Sequence, residues 1–286
     1  MNIEETLHQK KLLIEQKLES ILSEEDTLIH KAMRNSVLSG GKRFRPLLVL
    51  SSGKCLHSNE EELLPFACAI ELIHNYSLIH DDLPAMDDDD FRRGKPTCHK
   101  TYGEAIAILA GDALLTLAFK ELINAPVRKK YYQRKKQIIY QIATLAGVDG
   151  MVGGQYMDIK YSPKDYTEKE FHDLIMKKTG GLIIASVKTG ALLGNASNSQ
   201  MEAMTEYGKN TGLAFQIRDD ILDFFKETKK DKQNEPNYVS FFGLKKAEER
   251  LVKYIETACA VLDKATLKGE ELKYLAKMLL IKRKTK

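Results

Sequence analysis

Along most of the 286-residue chain, apolar residues recur every three or four positions, the period of a helix with one face turned inward. This pattern predicts helices over residues 4–23, from Pro46 onward, and over 61–82, 103–123, 131–149, 168–193, 199–226, 244–264 and 268–282. No stretch alternates with the two-residue period of a strand, and no repeat is visible. Connections are short except KETKKDKQNEPNY at 226–238, which is polar and breaks at Pro236. The expected fold is all-α, one domain over residues 1–286, with a solvated basic tail, IKRKTK.

Two helices break the one-sided rule. On a wheel centred on Asp219, Asp223, Gln216 and Asp220 fall at about 40°, 60° and 100°. Leu213, Ile217, Ile221 and Phe224 fill the opposite side, and Phe215, Leu222 and Phe225 most of the rest. A wheel centred on Asp81 gathers His74, Ser77, Glu71 and Asp82 against Leu72, Ile73, Tyr76 and Ile79. A helix apolar nearly all round is buried, and buried carboxylates need compensating cations. Two such stripes facing one cavity would make a cage for a divalent metal. Asp219 and Asp223 in DDILD lie one turn apart, about 6 Å along the axis. In DDLPAMD, Asp87 is off the face of Asp81. Pro84 biases the preceding residue away from helix, so the chain can end its helix near Asp82 and curl Asp87 back. Asp88, Asp89 and Asp90 are then outer, mostly solvated residues. All-oxygen ligands suit magnesium, which bridges carboxylates to phosphates.

Composition narrows the partners. The net charge is +4, with 43% hydrophobic and 29% charged residues. That balance does not call for nucleic acid and fits small anionic ligands, which respond to local clusters. Three clusters are basic: Lys42, Arg43 and Arg45 in GGKRFRP, Arg92 with Arg93, and Lys177 with Lys178 in KKTGG. Guanidinium forks and glycine-opened turns suit phosphate oxygens. Cys55, Cys68, Cys98 and Cys259 form no CxxC or zinc pattern and read as reduced thiols. The N-terminus lacks a signal-peptide core. The longest apolar run, AIAILAGDALLTLAF, is cut by Asp112, so no membrane insertion is expected and a cytoplasmic location is the default.

Between about residues 35 and 225 the ordered motifs GGKRFRP, ELIHNYSLIHDDLPAMDDDDFRRGKPTCH, GEAIAILAGDALLTLAF, GGQYMDI, KKTGGLI and GLAFQIRDDILD appear. This set resembles the trans-prenyltransferase (polyprenyl synthetase) family, and within it the bacterial farnesyl diphosphate synthases. The resemblance implies an isoprenoid synthase bundle of roughly ten or more helices around a central cavity, assembled as a homodimer. It implies condensation of isopentenyl diphosphate with dimethylallyl or geranyl diphosphate to farnesyl diphosphate. Asp81, Asp82, Asp87, Asp219, Asp220 and Asp223 would hold magnesium, three ions per site, with manganese as the alternative. Gly41, Lys42, Arg45, His74 and Arg93 match isopentenyl diphosphate contacts. Arg92, Lys178 and Gln216 match contacts on the allylic side, and Thr179 a residue near the developing carbocation. Asp81, Asp87, Asp219, Lys178, Thr179 and Arg92 would carry the chemistry. Tyr76 and Ser77, about a turn below Asp81, match the floor that limits chain length, while His80 and His99 are expected to be structural. Geranyl or geranylgeranyl products, or a non-catalytic regulatory subunit, are the alternatives; both acidic motifs are intact, which favours an enzyme. The family's lysine before Thr-Tyr falls near Glu235 here, leaving Lys226, Lys229, Lys230 or Lys232 as substitutes with no assigned role.

Overall fold

The computed structural model describes residues 2–22, 26–160, 166–226 and 237–281. Helix α1 (Ile3–Ile21) buries Leu7, Ile14 and Leu18 and starts at Asn2, whose side chain accepts from the Glu4 N–H. α2 (Leu28–Leu38) follows a Thr27 cap. α3 (Phe44–Cys55) begins ahead of the expected start, with Pro46 inside its first turn. Proline is accepted there because the first N–H groups of a helix have no acceptor within it. α4 (Glu60–Asp81) is the long first acidic helix.

A two-residue hairpin follows, β1 (Phe91–Arg92) antiparallel to β2 (Lys95–Pro96). The expectation of no strand is corrected here. Arg93 and Gly94 both take positive φ, 53° and 76°, the backbone that suits a two-residue hairpin turn. Strands this short leave no alternation to read.

The chain continues through α5 (Cys98–Tyr102), α6 (Glu104–Asn124), α7 (Tyr132–Ala146), α8 (Met151–Lys160) and α9 (Glu168–Ile175). A π turn (Met176–Gly180) joins α9 to α10 (Gly181–Leu193). Then come α11 (Asn198–Lys226), α12 (Tyr238–Phe242), α13 (Leu244–Lys264) and α14 (Glu270–Lys277). α2, α5, α8 and α12 are additions to the predicted set. Gly153 and Gly154 sit in the middle of α8, and each weakens a helix by about 1 kcal/mol relative to alanine.

α10 is buried on nearly every face and packs on α3, α4, α7 and α11, while α4 packs on α6 and α11 on α13. Helices apolar all round thus occupy the centre. The C-terminal region is tied back to the start of the chain: Glu271 of α14 accepts from Lys10 of α1 at 2.7 Å and from Ser51 and Lys54 of α3 at 2.8 and 2.5 Å. All four cysteines are free thiols. No described helix is long and apolar enough to cross a membrane. Lys229, Lys230, Lys232, Glu235 and the side chain of Lys226 lie outside the described residues.

Candidate active site

The first acidic motif forms where α4 stops. Asp82 caps the helix, and the Asp87 N–H donates to the Asp81 carbonyl at 2.9 Å, so the chain curls as the proline predicts. The Asp81 carboxyl is pushed up to about 7, chiefly by burial; Lys178 opposes the rise and Asp87 adds to it. Asp82 is buried and accepts from Arg92 Nε at 2.6 Å and from its Nη2 as well. Asp88 is exposed, Asp89 lies 3.8 Å from Arg92, and Asp90 pairs with Lys100 at 2.7 Å. These three are outer residues, as expected.

The second motif lies on α11, and the π turn connects it to the first. Lys178, on that turn, pairs with Asp158 of α8 and bears electrostatically on Asp81 and Asp87. The neighbouring Thr179 donates its hydroxyl to Gln216 at 2.6 Å, and Gln216 donates to Asp220 at 2.7 Å. The other Asp220 oxygen accepts the Tyr238 N–H at 2.7 Å. Burial pushes the Asp220 carboxyl up to about 7 against those bonds. Asp219 accepts from Arg218 at 2.9 Å and is raised by burial, with Lys42 pulling it down and Asp223 pushing it up. Asp223 is exposed one turn on. Asp82 and Asp220 are buried against protein donors, whereas Asp219, paired with Arg218, is half-buried and Asp223 is exposed. Phe224 and Phe225, expected to fill an apolar face, are 48% and 61% exposed. They correct the expectation that α11 is buried to its end: the helix leaves the core there.

The basic groups divide. Arg45 is buried over the Phe215 ring, its Nε without a hydrogen-bond partner among the described residues. Burial lowers its pKa while Glu71 and Asp219 oppose. Arg43, read in sequence as one of the phosphate-facing cations, is instead 2% exposed and paired with Glu71 at 2.9 Å. That buried carboxylate needed a partner, and Arg43 supplies it. Gly41 takes φ of +143° with the Arg93 guanidinium 3.0 Å from where a Cβ would stand, so the glycine admits the arginine. Arg93 donates to the Gly40 carbonyl.

Two cavities result. One, of about 460 Å³ and mostly apolar, is lined by Tyr76, Ser77, His80, Asp81, Lys178 and Thr179, with Met86, Met151 and Ile159 among its apolar members. The other, of about 410 Å³, is lined by Gly41, Lys42, Arg45, Arg93 and Phe215, with the Arg43–Glu71 ion pair also in its wall. His74 borders both. Burial, then Arg45 and Arg93, hold its pKa well below the ordinary value, so its imidazole is neutral. Lys177 lines neither cavity.

The donor set suits a magnesium-like ion. It is carboxylate oxygen, and carboxyls raised so far are short of positive charge. Among the described residues no three carboxylate, imidazole or thiol groups converge into a closed cage. An ion that takes one or two carboxylates and completes its shell with water and phosphate oxygens matches that geometry.

The polyprenyl synthetase profile matches residues 26–272. The farnesyl diphosphate synthase of Geobacillus stearothermophilus is 41% identical, covering 97% of each chain. The chain belongs to the polyprenyl synthetase family. A geranylgeranyl diphosphate synthase of Cyanophora paradoxa is 42% identical over 88% of this synthetase and 87% of its own length. The crystal structure of an FPP/GFPP synthase from Zymomonas mobilis superposes with a TM-score of 0.85 at 33% identity, covering 97% of this chain and 98% of that one. The synthetase fold is thus the isoprenoid synthase fold.

The geometry also brings in residues the sequence reading left unassigned. Asp158 partners Lys178, and its only sequence signal was its place in GGQYMDI. Gln155, from the same run, borders the apolar cavity with both polar side-chain atoms buried and without a partner among the described residues. His99 is buried, its Nδ1 3.2 Å from the Thr97 hydroxyl and its Nε2 without a hydrogen bond among the described residues. His80, expected to be structural, lines the apolar cavity.

Proposed function

We propose that this polyprenyl synthetase condenses isopentenyl diphosphate with dimethylallyl and then geranyl diphosphate to farnesyl diphosphate. One observation carries the reading: an apolar chamber with acidic and cationic groups at its wall abuts a cation-lined chamber across His74. The allylic tail belongs in the first, its diphosphate against Lys178 and Arg92. The second diphosphate belongs against Lys42, Arg45 and Arg93, beside Gly41 and His74. Asp81, Asp87, Asp219 and Asp223 would hold magnesium, which when bound neutralises the diphosphate and polarises its bond to carbon. Asp82 and Asp220, engaged by Arg92 and by Gln216 with Tyr238, support those ligands and can add an oxygen to them.

Lys178 and Arg92 stabilise the charge that grows on the leaving diphosphate. Thr179, fixed by Gln216, offers an oriented hydroxyl dipole to the allylic cation, and the apolar wall keeps loose water away from it. The isopentenyl double bond attacks that cation, and the departing diphosphate takes the final proton. Tyr76 and Ser77 form the floor; replacement of Tyr76 by alanine lengthens the products. We place the enzyme in the cytoplasm as one domain and a homodimer, the latter checked by light scattering. The deciding assay combines magnesium, labelled isopentenyl diphosphate and dimethylallyl or geranyl diphosphate, followed by chromatography. Farnesyl diphosphate is expected. No labelled prenyl product with either allylic substrate overturns the reading.

A further inference from the structure

His80 stands one turn beyond Tyr76 on α4, and both border the apolar cavity. The two rings meet edge to face, centroids 5.8 Å apart and planes at 78°. His80 Nε2–H donates to the Ile108 carbonyl of α6 at 3.1 Å and lies 3.9 Å from the Asp112 carboxylate. The imidazole is therefore fixed between α6 on one side and the Tyr76 ring on the other.

What gives the ring its place is Gly111. A Cβ there would stand 2.1 Å from His80 Nε2, 2.5 Å from Cδ2 and 2.9 Å from Cε1. Three ring atoms occupy the volume of the missing side chain. Gly111 is buried in a regular stretch of α6, so it is there for this approach and for no turn. Any side chain at 111 must expel the imidazole from α6, and the open space bordering the ring is the cavity.

We propose that His80, seated by Gly111, is a positioning residue that sets product length: it narrows the cavity from the α6 side and holds the Tyr76 ring across it. The proposal rests on the prenyltransferase reading and deepens it. Without the imidazole, Tyr76 loses its edge contact and gains rotamer freedom, and the growing tail gains width where it must pass the floor. With the imidazole driven off α6, the tail loses room.

The test is product analysis with magnesium, isopentenyl diphosphate and geranyl diphosphate on four variants: His80→Ala, His80→Phe, Gly111→Ala and the double variant His80→Ala with Gly111→Ala. His80→Ala is expected to raise the ratio of twenty- to fifteen-carbon product by about tenfold, the discrimination that a methylene-sized change in an apolar pocket supports. His80→Phe keeps a ring at least as large in that place and is expected not to lengthen the products. Gly111→Ala shifts product toward the shorter chain, and with dimethylallyl diphosphate it accumulates geranyl diphosphate. In the double variant the clash is gone, so it matches His80→Ala; this non-additivity persists even if Gly111→Ala alone folds poorly. Unchanged chain lengths in an active His80→Ala enzyme overturn the proposal, as does a double variant as impaired as Gly111→Ala. A parent chain that makes no prenyl product sinks the prenyltransferase reading itself, a different result from active variants whose chain lengths do not move.

Discussion

Arg43 and Arg45 stand two positions apart in one basic run and differ in their partners. Both line the cationic chamber and each has a buried Nε without a hydrogen bond among the described residues, but Arg43 Nη1 is closed into an ion pair with Glu71 at 2.9 Å. Their residue type could not separate them; the difference lies in a glutamate on the next helix. Arg43→Met strands a buried carboxylate and is expected to cost about 3–5 kcal/mol in urea unfolding. Arg45→Met is expected to leave stability much closer to the parent and to raise the KM for isopentenyl diphosphate. Lys178, singled out in KKTGG, lies at the wall of the apolar cavity. Its replacement by alanine is expected to lower kcat about a hundredfold in steady-state assays, the scale for losing one group that stabilises developing negative charge. The aspartates were legible because carboxylates on apolar helices are costly. Asp158 and Gln155 were not, because one polar residue in a short, glycine-interrupted segment carries no such signal.

Among the elements, the long periodic helices were readable and the short ones were not. Residues 168–193 were expected to be one helix, and they do form one helical path, but a π turn at Met176–Gly180 interrupts it. π turns widen the helix locally and recur at functional sites; here one carries Lys178 and Thr179. Side-chain periodicity averages over such a turn and cannot reveal it. α12 is a second device of this kind. Its Tyr238 gives its N–H to Asp220, and its hydroxyl accepts from Arg250 of α13 at 2.9 Å. Arg250 also pairs with Glu168 at 2.8 Å and lies 4.1 Å above the Phe242 ring. This tether links α9, α12 and α13 to the second acidic motif. Arg250→Met is expected to raise the KM for the allylic diphosphate several-fold more than that for isopentenyl diphosphate, with a drop of a few degrees in Tm. Steady-state kinetics and a thermal melt check both parts.

For the whole molecule, the all-α class and the order of the motifs were plain in the sequence, while the closure between its two ends was not. Glu271 and Lys10 are separated by almost the whole chain and meet at 2.7 Å. Burial alone would raise the Glu271 carboxyl, but the bonds from Lys10, Lys54 and Ser51 outweigh it and hold it below the ordinary value. A carboxyl lowered on folding stabilises the fold above its unfolded pKa, about 4.3, and that contribution disappears as pH falls through the lower folded value. Tm measured from pH 6 down to pH 2 is expected to fall on this limb. Glu271→Gln is expected to have a lower Tm at neutral pH and a shallower acid limb. A last consequence concerns the side chain bordering both chambers. Because His74 is the one side chain that borders both rooms among the described residues, a bisubstrate inhibitor can span them. Two anionic heads joined by a tether short enough to thread past His74 would present the second head at an effective concentration of about millimolar, so the linked compound gains avidity that neither half has alone.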